Sequence, residues 1–219
     1  MIQKLVTIDG PAASGKSSVS RLLAAELGWK WVSTGAFYRG LALAALKSGL
    51  DVSDEEALVA KAADSIWKVE MTSDYTLVFF DGKDVTDDLA GEEVGGIASK
   101  ISGLPGVRKA LLERQRRCFN QENGLVAEGR DCGTVVFPQA TAKLYLTASP
   151  ALRARRRAEE EGESQSTTLE QQIKRDKQDT ERKVSPLTIA EGALKIDTSF
   201  LSLEEVVTEA LKYVKSQGI

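Results

Sequence analysis

The sequence predicts an α/β fold, a parallel sheet with helices on both faces. Three observations point there. Short apolar runs recur along the chain as candidate core strands. Most of them are followed by stretches with helical spacing. Glycine-rich or polar loops join the two, and a break in the rhythm at 67–89 marks an insertion.

"KLVTI" (4–8) is apolar throughout, as a strand buried on both faces requires. From Lys16 to Leu27, the spacing of Val19, Leu22, Leu23 and Leu27 is helical, and Gly28 is placed to cap the end. "WKWV" (29–32) reads as a second strand and "AFYRGLALAALKSG" (36–49) as a helix closed by glycine. "SDEEALVAKAADSI" (53–66) opens on a Ser or Asp cap followed by acids. "WKVEMTSDYTLVFFDGKDVTDDL" (67–89) alternates and contains "DG", which predicts a small antiparallel patch. Helices follow at about 91–102 and 105–122. "GLVAEG" (124–129) and "AKLYLTAS" (142–149) read as core strands leading into polar loops. A charged helical region covers about 150–184, interrupted near "EGESQSTT" (161–168). "ALKIDTS" (193–199) is a last strand and "SLEEVVTEALKYVKSQG" (202–218) a closing amphipathic helix.

The chain has 219 residues, enough for one domain with a real core, and a formal charge of −3. That balance argues against nucleic acid or an anionic membrane as the main partner. With no histidine, His-based metal sites and Ser-His-Asp triads are excluded, and two cysteines are too few for a zinc cage. No stretch is apolar for long enough to span a bilayer, and Met1 leads straight into a strand pattern without a signal segment. A reduced, cytoplasmic chain is expected.

Chemistry enters at the first loop. Gly10, Pro11, Ala12, Ala13, Ser14, Gly15, Lys16 and Ser17 fit G-x-x-x-x-G-K-[ST], with Ser18 following, between a strand and a helix. Glycines at 10 and 15 let successive N–H groups turn inward toward an anion, and the helix start adds its positive dipole end. Lys16 would meet the β- and γ-phosphates, and the Ser17 hydroxyl would ligate Mg²⁺. An ordinary strand-to-helix turn is the plainer reading, but the context favours a nucleoside triphosphate. The chain has neither an N/T-K-x-D guanine-reading motif nor an LSGGQ-like signature.

Arginine clusters lie downstream. Arg130 and Asp131 follow a core strand, where doubly wound sheets keep ligands, although a surface turn pair looks the same. Arg153, Arg156 and Arg157 share a helical face that could simply be solvated. Arg175, Asp179 and Arg182 are spaced i, i+4, i+7, as a salt-bridged solvent helix also would be.

Together, "GPAASGKSS", "TGAFYR", "ASKISGLPGVRKAL", "EGRDCGTVVFPQA" and R-D-x-x-D-x-x-R-x-x-x-P-L (175–187) resemble bacterial cytidylate kinases, in order and spacing over nearly the whole chain. The resemblance implies a P-loop nucleoside monophosphate kinase fold and transfer of the ATP γ-phosphoryl group to CMP or dCMP. It implies that Ser99, Arg108 and Asp131 read the cytosine edge. Arg39, Arg130 and Arg182 would bind the acceptor phosphate, Arg175 and Asp179 the sugar, and Thr34 and Tyr38 would line the pocket. Arg153, Arg156 and Arg157 would close over the ATP phosphates. It further implies an acceptor-binding lobe at about 34–105 containing the 67–89 insertion, an arginine-rich lid at about 150–184, small-molecule partners only, and a monomer. Glu128 would orient water around Mg²⁺. The chain departs from many relatives at Ser33 (Asp), at Ala13 (Gly), and in "LAGEEV" (89–94), which lacks an Ile-Arg pair. The rival readings are a P-loop kinase for UMP, AMP or another metabolite, and a binding protein switched by nucleotide.

Overall fold

The computed structural model describes residues 3–120, 123–161, 165–182 and 184–219, with backbone alone at 160, 161, 165–168, 170, 171 and 175. Five strands, β1 (Leu5–Asp9), β2 (Lys30–Ser33), β6 (Leu125–Gly129), β7 (Ala142–Thr147) and β8 (Leu194–Asp197), form a parallel sheet ordered β2-β6-β1-β7-β8. All five were expected from their apolar runs. The register aligns their C-terminal ends: Asp9 faces Gly129 and Tyr145, Ser33 faces Glu128, and Thr147 faces Asp197. Every loop that follows a strand therefore opens on the same edge of the sheet.

Side chains alternate between two cores, as strand geometry demands. Leu5, Leu125 and Ala127 join one core with the helices α2 (Gly35–Lys47), α3 (Glu55–Ala63), α4 (Glu92–Ile101) and α5 (Pro105–Asn120). Val6, Ile8 and Val126 join the other with α1 (Lys16–Leu27) and α8 (Leu203–Ser216). Burial on both faces is why these strands read as unbroken apolar runs. Asp54 rather than Ser53 caps α3, its carboxylate accepting from the Ala57 amide at 3.0 Å. That helix ends at Ala63, short of the expected 66, because Asp64 turns the chain and its carboxylate accepts from the Ile66 amide. Ser202 and Glu205 close a reciprocal capping box on α8.

The 67–89 insertion is a separate antiparallel sheet, β3 (Trp67–Met71), β4 (Thr76–Phe80) and β5 (Lys83–Asp84). Asp81 and Gly82 have φ of 49° and 72°, the paired positive angles of a two-residue type I′ turn. Trp67 is buried against Gly40 of α2, where a Cβ would lie 3.0 Å from its ring. The insertion also reaches the main sheet, since the Thr76 hydroxyl accepts from the Ser33 amide of edge strand β2 at 3.0 Å.

The charged region forms α6 (Pro150–Glu161) and α7 (Gln165–Glu181); 162–164, within the expected interruption, lie outside the described residues. A 3₁₀ turn at Asp87–Ala90 and a single π turn at Cys132–Val136 were not foreseen. Among the described residues, no helix is long and apolar enough to cross a membrane.

Candidate active site

A cleft of about 510 Å³ runs along the C-terminal edge of the sheet. At one end the chain leaves β1, and the loop 10–15 arches toward α1. Gly15 has φ 86° and Ala13 φ 55°. The left-handed geometry at Ala13 costs an L-residue on the order of 1–2 kcal/mol, which glycine there would avoid. An inward-turned amide sends its carbonyl outward, and here those carbonyls are gripped from behind. Ala12 O accepts from Gln172 Nε2 of α7 at 2.9 Å and from Arg153 Nη1 of α6 at 3.3 Å. Ser14 O accepts from Thr198 Oγ1 at 3.3 Å.

Lys16 is buried and donates to Pro11 O at 2.7 Å. Burial, with Arg130 nearby, lowers its ammonium to a pKa of about 7. The Ser17 hydroxyl donates to Glu128 Oε1, 3.1 Å away, so a hydroxyl from the first turn of α1 and a carboxylate near the end of β6 meet at the loop's mouth.

At the other end, guanidinium groups converge on two carboxylates. Arg108 donates to Asp131 and, through Nη1, to Ser102 O at 3.0 Å, while its guanidinium lies 5.6 Å from the centroid of the Tyr38 ring. Arg182 lies 3.9 Å from both Asp131 and Asp179, and its Nη2 is buried without a hydrogen-bond partner. Burial lowers the Arg182 guanidinium from its usual pKa. Arg130 donates to Asp179 at 2.6 Å. Burial pushes the Tyr38 phenol up to about 12, so it stays neutral. Thr34 donates to Glu128 O at 2.9 Å, and Ser99 donates to Gln178 Oε1 at 3.2 Å. Arg39 donates to Leu89 O of the 3₁₀ turn.

Of the residues singled out in the sequence, Ala12, Ala13, Lys16, Ser17, Thr34, Tyr38, Arg39, Ser99, Arg108, Arg130, Asp131, Arg157, Asp179 and Arg182 all line this cleft. Gly10, Pro11, Ser14, Gly15 and Ser18 form the loop and helix start without lining it. Arg153 and Arg156 are turned elsewhere: Arg153 is 4% exposed and forms a two-point pair with Asp176 at 3.0 and 2.6 Å, and Arg156 donates to Thr198. The side chain of Arg175 lies outside the described residues.

Residues 6–216 match the family model for cytidylate kinase. The chain belongs to the cytidylate kinase family. It is 55% identical over 213 residues to the cytidylate kinase of Bdellovibrio bacteriovorus, covering 97% of this chain and 98% of that one. Over 223 residues it is 43% identical to the Mycobacterium leprae cytidylate kinase, covering 100% and 98%. Solved structures share the fold at low identity. A gluconokinase from Sinorhizobium meliloti superposes with TM-score 0.52 and 17% identity, over 98% of this chain and 93% of that one. An uncharacterised protein from Eubacterium ventriosum gives 0.54 and 15%, over 98% and 99%. Membership in this family makes the chain a nucleoside monophosphate kinase that draws its phosphoryl group from ATP.

Sequence reasoning missed four polar residues around the family's cleft. Asp9 is 2% exposed and accepts from Cys132 N at 2.8 Å and Gly133 N at 2.7 Å. Its signal was an acid closing the otherwise apolar run "LVTID". Gln172 and Thr198 hold the phosphate loop from behind, and Thr76 reaches in from the insertion. None of these three carries a signal in local spacing, because each meets its partner across a long stretch of chain.

Proposed function

We propose that the chain transfers the γ-phosphoryl group of ATP to CMP or dCMP, giving ADP and CDP or dCDP. The observation that carries this reading is the Arg108–Asp131–Arg182 cluster, buried in the same cleft as the phosphate loop. A carboxylate held between guanidinium groups presents one acceptor and several donors in a fixed array, which suits the amine, ring nitrogen and carbonyl of a cytosine edge. Buried polar groups of this kind reject a base that leaves them unpaired.

Thr34, Tyr38 and Ser99 complete the pocket. Arg39, Arg130 and Arg182 bind the acceptor phosphate, and Asp179, with Arg175, meets the sugar. Backbone N–H groups of the 10–18 loop, Pro11 having none, and Lys16 hold the donor triphosphate. Arg157, already in the cleft, adds charge beside the transferring group, and Arg153 and Arg156 brace the same helix. In phosphoryl transfer the protein's task is alignment and charge compensation, so an array of fixed cations with no histidine is sufficient.

The hydroxyl of Ser17 and the carboxylate of Glu128, both hard oxygen donors 3.1 Å apart, fit a Mg²⁺ ion that keeps waters and phosphate oxygens as its other ligands. When bound, such an ion would supply positive charge beside the transferring phosphoryl group. Residues of about 34–105 form the acceptor lobe and about 150–184 a lid whose closure excludes water. The reading includes a monomeric, cytoplasmic chain with small-molecule partners alone.

A screen of ADP formation from ATP and Mg²⁺ against CMP, dCMP, UMP, AMP and GMP tests it. CMP and dCMP should give the fastest turnover. Preference for AMP or GMP, or ADP release independent of any acceptor, would overturn the assignment.

A further inference from the structure

We infer that Asp9 is a positioning residue, which holds the acceptor-reading turn Arg130–Asp131 in register with the phosphate loop. It deepens the functional reading above and rests on it.

Asp9 is the last residue of β1, and Gly10, the first of the phosphate loop, follows it directly. Its two carboxylate oxygens are used separately, one on the amide of Cys132 and one on that of Gly133. Those amides come immediately after Arg130 and Asp131. A single rigid, buried carboxylate thus ties the donor loop to the turn that carries the acceptor contacts. On its other flank the turn is gripped by Thr34, whose hydroxyl donates to Glu128 O and lies 3.4 Å from Cys132 Sγ. Space is matched to this grip: a Cβ on Gly133 would lie 2.9 Å from Thr7 Oγ1 and 3.3 Å from Asp9 Oδ2.

Electrostatics argue that this grip serves more than folding. Burial raises the Asp9 carboxyl to about 6, the two amides pull it back down, and Asp131 pushes it up again. Keeping that charge buried near neutrality lowers stability, since a raised carboxyl pKa favours the folded state only while the group is protonated. A carboxylate kept at such cost, with both oxygens on consecutive amides of one turn, sets position. Displacing reacting groups by an ångström costs about 100-fold in rate, so small shifts of the turn matter.

Asp9→Asn removes one of the two acceptors and keeps the volume. The expected result is a rise of about tenfold or more in KM for CMP, with KM for ATP changed less than threefold and a narrowed preference for CMP over UMP. Calorimetric binding of CMP without ATP should weaken by the same factor. A folded Asp9→Asn protein with unchanged KM for CMP, or with both KM values rising together, would overturn the inference. If that variant does not fold, Gly133→Ala, which pushes the turn off an intact Asp9, decides by the same split. Should the unaltered chain prefer another monophosphate, the functional reading fails separately, and the comparison is made with that acceptor.

Discussion

Lys16 is the buried cation of the phosphate loop. Lys16→Ala should lower kcat by about 100-fold or more, the range seen when one preorganised charge stabilising a transition state is removed. Its melting temperature should not fall, because burial already works against the ammonium. The same displacement predicts proton uptake. With a pKa of about 7 in the free protein, Lys16 is mostly neutral at pH 8, and a bound triphosphate restores its charge. Calorimetry of ATP binding at pH 8 in buffers of different ionisation enthalpy should reveal protons taken up, and fewer at pH 6, where the group is already charged. At Asp131 the expectation is selective. Asp131→Ala should erode discrimination between CMP and UMP more than it slows CMP turnover, as competing-substrate kinetics would detect, because its carboxylate organises Arg108 and Arg182.

At the scale of elements, the insertion is attached by a few close contacts around one aromatic side chain. Trp67 is 1% exposed, lies against Gly40, and has the Arg114 guanidinium 4.1 Å from its ring centroid. Trp67→Ala should destabilise the fold by about 3–5 kcal/mol, read from denaturant unfolding, since it opens a cavity between insertion and helix. The hairpin was legible because Asp-Gly has few ways to turn, and Asp81 and Gly82 took the angles that pair favours. The central strands β1 and β6 were legible because both their faces are buried. The 3₁₀ turn at Asp87–Ala90 and the π turn at Cys132–Val136 were not, because each is shaped by what it packs on: Arg39 on Leu89 O, and Asp9 under two amides.

For the whole molecule, strand order was the least legible feature. β6 lies between β1 and β2 although about ninety residues separate it from β2 in sequence, and no local pattern encodes a pairing that distant. The candidate site was legible in its residue types, through the phosphate-loop spacing and the resemblance, and less so in its partnerships. "RARRR" gave no hint that Arg153 would spend its charge on Asp176 and Ala12 O while Arg157 remained in the cleft. Partnerships depend on how α6 and α7 fold back over the loop, which is a tertiary fact.

One small contact reaches past catalysis to how the molecule behaves in company. β2 is the outermost strand on its side of the sheet, and a bare strand edge invites recruitment by neighbouring chains. By seating the Thr76 hydroxyl on the Ser33 amide, the antiparallel appendage covers part of that edge. Replacing 67–89 with a short glycine-serine bridge should therefore yield a protein whose light scattering climbs more steeply with concentration than that of the intact chain.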